Sequence, residues 1–149
     1  SFIGGHIEKD KRNSLNHKMG NKSRLDLSDM VDYDQTMIKL TDKIRHQCHI
    51  SEKNCWVWQG CSNGLHGKMK IRYSNHAGDK IVKFVNTHKL MYLAHHNLRK
   101  LDENISHLCS VGLCVNPAHL TVESMSSNLS RRGCVTRQQN CYHHPPCLL

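Results

Sequence analysis

Cysteine and histidine recur through the C-terminal part of this chain at intervals that suit a tetrahedral metal ion. Cys109, Cys114 and His119 follow one another with four residues in each gap, and Cys134, Cys141, His143 and Cys147 form a second run. Thiolate sulfur and imidazole nitrogen are the usual ligands of four-coordinate structural Zn2+. The second run is complete by itself, with His143 better spaced than its neighbour His144. The first offers three ligands and needs a fourth from upstream, where Cys48, Cys55 and Cys61 stand. A site with four protein ligands has no position open for water, so both ions would be structural rather than catalytic. His107 immediately precedes the first run and Asn128 follows it.

Eight cysteines in a secreted chain would instead argue for a disulfide scaffold. Here they alternate with histidines, and no apolar signal segment opens the sequence, so zinc in a reducing, nuclear or otherwise intracellular, compartment is the expectation. Aromatics make up only 5% of the 149 residues, a thin supply for a core, and metals commonly close small chains of that kind. The formal charge is +9. With six cysteines as thiolates and two Zn2+ bound, about +7 would remain. A basic surface of that size points to nucleic acid, and no stretch is long and apolar enough for a bilayer.

The elements that must position these groups can be read in order. Residues 1–34 carry Lys9, Lys11, Arg12, Lys18, Lys22 and Arg24 and read as a flexible basic arm, either touching phosphates or simply solvated. Residues 35–54 read as a helix and linker, with Met37, Leu40 and Ile44 at helical spacing after a cap at Asp34, and Cys48-His49 in the loop beyond. Residues 55–149 form the main domain. Cys55 to Gly60 reads as a strand. Gly67 to Tyr73 alternates strictly, with Met69, Ile71 and Tyr73 inward and Lys68, Lys70 and Arg72 outward. Turn residues at 75–78 lead into the returning strand Lys80–Val85. An antiparallel ribbon with a cationic face fits the major groove of DNA; an ordinary half-solvated sheet explains the alternation equally well, but not why every outward residue of 68–72 is basic. Asn86 or Thr87 caps a helix to about Asn97, in which His95 and His96 are surface or packing residues. A strand at 105–107, a loop at 110–118, a strand at 119–122 and a helix from Ser124 to Arg132, stopped by Gly133, complete a ββα unit.

From Ser106 to Cys147 this pattern resembles the His-Cys box homing endonucleases, within the ββα-metal (His-Me finger) nucleases, and the resemblance extends over about residues 55–147. It implies an α+β, zinc-stapled ββα-metal fold with an antiparallel β-ribbon and two structural zinc sites. It implies that the fourth ligand of the first site comes from a Cys-aromatic pair at the start of the first strand; Cys55-Trp56 matches, with Cys48 in reserve. It further implies a Mg2+- or Mn2+-dependent DNA endonuclease in which His107 is the general base and Asn128 holds the catalytic metal. An imidazole titrating near neutrality suits the first role, and a hard amide oxygen the second. Relatives add a cation on the ribbon; Lys83 and Lys80 are candidates here, with Arg72 behind them. Lys68, Lys70, Arg72, Lys80 and Lys83 would contact DNA. The chain ends two residues after Cys147, which argues against subunit exchange through a C-terminal tail and for a monomer or a different dimer. The alternative is a non-catalytic, zinc-stapled DNA-binding module on the same fold, which would need neither His107 nor Asn128.

Overall fold

Alternation along the ribbon sorts its side chains to two faces, and the inward ones begin the core. In the computed structural model, which describes residues 24–137 and 141–148, β4 (Lys68–Ser74) pairs antiparallel with β5 (Lys80–Asn86) from Lys68↔Asn86 to Ser74↔Lys80. Met69, Ile71, Tyr73 and Val85 are buried, whereas Lys70 and Arg72 are exposed. Two helices add to this core, packed against each other, with the second also on the ribbon. One is α1 (Tyr33–His46), which buries Met37 and Ile44 with Leu40 packed beside them, and the other is α2 (Thr87–His95), which buries Leu90, Met91 and Leu93.

Residues 25–33, which the sequence reading placed in a flexible arm, are part of the fold. Leu25, Leu27, Met30 and Tyr33 all belong to the core. β1 (Leu25–Asp26) pairs antiparallel with β6 (Lys100–Leu101), and the Val31 amide donates to the Ser74 carbonyl at 2.9 Å. These residues carry enough apolar surface to repay ordering; the charge of the stretch before them conceals this. Residues 1–23 lie outside the described residues. Asp34 is in the first turn of α1 rather than at its cap, which is Asp32 in the left-handed conformation. Cys48 and His49 are in a strand, not a loop: β2 (Cys48–Ile50) pairs with β3 (Trp56–Trp58).

The ββα unit follows. β7 (Asn104–His107) pairs with β8 (Leu120–Glu123) across a loop that ends in a 3-10 turn at Pro117–His119, and α3 (Met125–Ser130) packs on β7. Ser124 caps α3, its hydroxyl accepting from the Ser127 amide. Gly133 does not stop that helix. The break comes at Arg131, and Gly133 lies within α4 (Arg132–Arg137). Arg131 explains the break, since its buried guanidinium donates to both carboxylate oxygens of Glu123 at 2.6 and 2.8 Å and to the Pro145 carbonyl at 2.8 Å. Glu123 also accepts from the buried Ser106 hydroxyl at 2.5 Å. This pair clamps the C-terminal segment onto the ββα unit; removing one partner alone would strand a buried charge, at a cost on the order of 3–5 kcal/mol.

Candidate metal centres and active site

Cys55 reaches the ββα loop because β3 adds to its backbone. Trp58 donates to the Leu113 carbonyl at 2.9 Å, Val115 donates to the Trp56 carbonyl at 2.8 Å, and Val57 bridges Cys114. Asn116 locks the corner by donating to the Asn54 carbonyl at 2.9 Å. The ligand atoms of Cys55, Cys109, Cys114 and His119 consequently lie within 4.8 Å of one another. The sulfurs of Cys55 and Cys114 are each 3.6 Å from His119 Nδ1. Tetrahedral zinc with bonds of about 2.3 Å to sulfur and 2.0–2.1 Å to nitrogen requires roughly 3.5 Å between S and N. The donor set and the spacing both fit Zn2+. Hydrogen bonding from Cys109, aided by the backbone amides of Asn116 and Trp56, draws the Cys114 thiol down to about 5, so a thiolate is already favoured there; Cys109 is pushed up in exchange. Cys48 is not in this group. Its sulfur is bound to the Ile44 carbonyl, and exposed Cys61 is likewise elsewhere.

The second group, Cys134, Cys141, His143 and Cys147, is equally tight. Its three sulfurs lie 3.3, 3.4 and 3.7 Å from His143 Nδ1. His143 Nε2 donates to the Ser130 hydroxyl at 2.8 Å, which leaves Nδ1 with the lone pair a metal needs. The amides of His143 and Cys147 both donate to Cys141 Sγ, and those bonds hold its thiol down at about 6. His144 is not part of the group. After Cys147 the chain returns to the first centre, where the Leu148 amide donates to the Leu108 carbonyl at 2.7 Å.

Between these centres and the base of the ribbon lies a cavity of about 650 Å³, which both His107 and Asn128 line. His107 Nε2 is 3.0 Å from the Cys114 carbonyl. A carbonyl only accepts, so Nε2 carries the proton and Nδ1 the lone pair. Burial, and then the neighbouring His66, lower the ring's pKa to about 4, so the imidazole is neutral at ordinary pH. The other lining residues include Asn86, His88, Lys89, Asn104, Arg131 and Arg132, and none is acidic. Such a wall receives an anion well. Asn128 supplies a half-buried amide on α3, suited in kind to a hard cation that keeps water and phosphate oxygens as its remaining ligands.

Lys83 is not at this cavity. Register places it opposite Ile71 on the inner face of the ribbon, where Nζ donates to the Asp26 carbonyl at 2.9 Å and lies over the Tyr73 ring. Alternation decides this, because Lys80, Val82 and Phe84 take the outer face. Neither its assignment as the catalytic cation nor its place among the DNA contacts fits that position. Lys80 is on the outer face at the far end, bonded to Ser74. That face is also less purely cationic than the sequence implied, since Phe84 is 73% exposed and Lys70 sits over its ring. His95 and His96 are exposed, as expected. Two histidines that sequence reasoning passed over, His66 and His88, line the cavity beside His107.

A family model described as the zinc-binding loop region of homing endonuclease matches residues 54–149, well over half of the chain. Over 91 residues the chain is 29% identical to "Protein 2.8" of Escherichia phage T7, a stretch that covers 61% of this chain and 58% of that protein. No solved structure matches. Among the described residues no helix is long and apolar enough to cross a membrane.

Proposed function

The chain belongs to the homing-endonuclease family defined by that zinc-binding loop, and from this premise we propose that it is a Mg2+-dependent DNA endonuclease with His107 as general base and Asn128 as the protein ligand of the catalytic metal. The observation that carries the reading is the tautomer of His107: with its Nε2 proton held by the Cys114 carbonyl, Nδ1 is left as a neutral base in a cavity that Asn128 shares. Nδ1 takes a proton from water, and the resulting hydroxide attacks phosphorus in line with the departing 3′ oxygen. The bond at Nε2 favours this ring orientation over a flipped one. Mg2+, when bound, neutralises charge on the phosphate and on the leaving oxygen. Lys89 and Arg132, which line the same cavity, take the cationic role in place of Lys83. The two zinc ions hold β3, the ββα loop and the C-terminal segment in place and leave chemistry to the cavity. A binding module without cleavage would have no use for an oriented neutral base sharing a cavity with an amide, which favours the enzyme. Incubation of the whole chain with supercoiled plasmid tests it: nicked or linear DNA is expected with Mg2+ and none with EDTA, and intact DNA across Mg2+ and Mn2+ would favour the module.

DNA is expected to lie along the outer face of the ribbon, where Lys70 and Arg72 are exposed and Phe84 offers an aromatic surface. Each phosphate neutralised contributes roughly −0.9 to the log–log salt slope, so reversing Lys70 and Arg72 to Glu should flatten the slope by about two units as well as weaken binding. Reversal of Lys9, Lys11 and Arg12 in the arm should do less. Fluorescence anisotropy across a salt series decides between them, and a weaker arm variant would move the main contact off the ribbon.

A further inference from the structure

The ribbon's register carries a consequence beyond its own two strands. Lys68 pairs with Asn86, and the Thr87 amide donates to the Gly67 carbonyl at 3.0 Å. Continued by one more step, that pairing sets His66 against His88, and their rings are 4.7 Å apart between centroids. His107 enters from β7, with ring centroids 4.7 Å from His88 and 5.5 Å from His66. One ring nitrogen from each of the three lies within 4.8 Å of the others. All three line the same cavity.

These histidines are held there. The His66 amide donates to Asn63 Oδ1 at 2.8 Å, and Gly112 closes on the same turn: a Cβ at that position would sit 2.2 Å from the Leu65 carbonyl oxygen. His88 is 1% exposed in the first turn of α2, and its Nδ1 has no hydrogen-bond partner. A buried ring nitrogen without a partner is costly unless something at the site satisfies it. Burial above all lowers the His88 pKa well below the usual imidazole value, and the closeness of His107 and His66 adds to it because a proton on either ring would repel one on His88; a neutral imidazole is the form that ligates.

We propose that His66, His88 and His107 form a third metal site, specific for a borderline transition-metal ion such as Zn2+, Ni2+ or Co2+ and distinct from the Mg2+ position at Asn128. Three imidazoles without a carboxylate select against Mg2+, which prefers oxygen, and for the later first-row ions. Metal–nitrogen bonds of about 2.0–2.1 Å place tetrahedral nitrogens roughly 3.4 Å apart, within reach of modest side-chain rotation from the present spacing. The fourth position would be left to water or to a phosphate oxygen. Occupancy takes up the Nδ1 lone pair of His107, so on the nuclease reading above this ion inhibits cleavage rather than supporting it.

The test uses the whole chain with its two structural zincs in place, titrated with Co2+. One further equivalent should bind, giving visible d–d bands without the near-ultraviolet sulfur-to-cobalt charge transfer that exchange into the cysteine centres would produce. H66Q and H88Q should each weaken that binding at least about tenfold, since even the loss of an outer-shell partner costs 10–100-fold, while zinc content stays at two. Added Zn2+ should inhibit Mg2+-dependent cleavage by the parent at concentrations that leave H66Q active. Absence of a third equivalent, charge-transfer bands alone, or undiminished binding in both variants would overturn the site. A parent that binds Co2+ as described yet cuts no DNA would keep the site and refute the nuclease reading instead.

Discussion

Stripping zinc from the reduced protein should unfold the ββα unit, and freshly purified protein should carry two zinc per chain. The magnitude follows from what surrounds the centres. Between β7 and β8 the loop contributes only Leu108, Val115 and Pro117 as apolar residues to the interior, beside Cys114, Asn116 and His119. The second centre is poorer still, with Tyr142 75% and Leu148 41% exposed. Structural zinc contributes on the order of 10 kcal/mol apparent per ion in small domains, against a whole-domain stability of roughly 5–15 kcal/mol. Loss of the first ion therefore exceeds what packing around that loop can replace. C114S should lose β3 from the ββα loop, and DNA binding with it. C141S should release the C-terminal segment first, leaving the ribbon and its two helices, whose core is built from Ile71, Leu90 and Leu93. Elemental analysis and circular dichroism with and without a chelator check this. One zinc or none in fresh reduced protein, or an unchanged spectrum after complete removal, would refute it.

The ligand runs were legible because zinc imposes short covalent distances, and short distances within a loop leave short spacings in sequence. The ribbon was legible for a related reason: a period of two admits only one assignment of Met69, Ile71 and Tyr73. Cys55 was harder. Nothing local ties it to Cys114, and what brings them together is the backbone pairing of Trp56 and Trp58 with residues 113–115. Only the resemblance singled it out from Cys48 and Cys61.

The misses share a physical origin, in that tertiary contacts overrode a local signal. Lys83 looked like a free cation, but an inward lysine is tolerated where a carbonyl, here that of Asp26, takes its ammonium. Gly133 looked like a helix stop, yet the buried ion pair of Arg131 with Glu123 sets the break two residues earlier. The first core residues, Leu25 to Tyr33, were hidden by the basic stretch before them. His66 and His88 left one usable signal. Folding the sequence about the turn at 75–78 already pairs them, since the hairpin that aligns Lys68 with Asn86 continues to His66 and His88. The approach of His107 from β7 left no trace in sequence.

His107→Ala should leave the protein folded, with both zincs and nearly full DNA affinity, and should lower cleavage about 10²–10⁴-fold. The two halves of that expectation rest on different contacts. His107 belongs to neither four-ligand group, and the hydrogen bond it gives up is the one to the Cys114 carbonyl, typically about 0.5–1.5 kcal/mol net. The folded state survives a loss of that size. The chemistry does not, because the Nδ1 lone pair that the Cys114 carbonyl fixes is lost with the ring, while His88 Nδ1 is buried without a hydrogen-bond partner and His66 sits on a loop. Asn128→Ala removes the proposed Mg2+ ligand and should be at least as damaging at low Mg2+, with partial recovery as Mg2+ is raised; His107→Ala should show no such recovery. Products from the parent should carry 5′-phosphate and 3′-hydroxyl ends, as in-line attack by water requires. Single-turnover cleavage of a labelled duplex, with zinc content and melting temperature measured on the same samples, separates the cases. If His107→Ala sheds a zinc or melts far below the parent, His107 is a structural residue. If it cuts as fast as the parent, the base lies elsewhere.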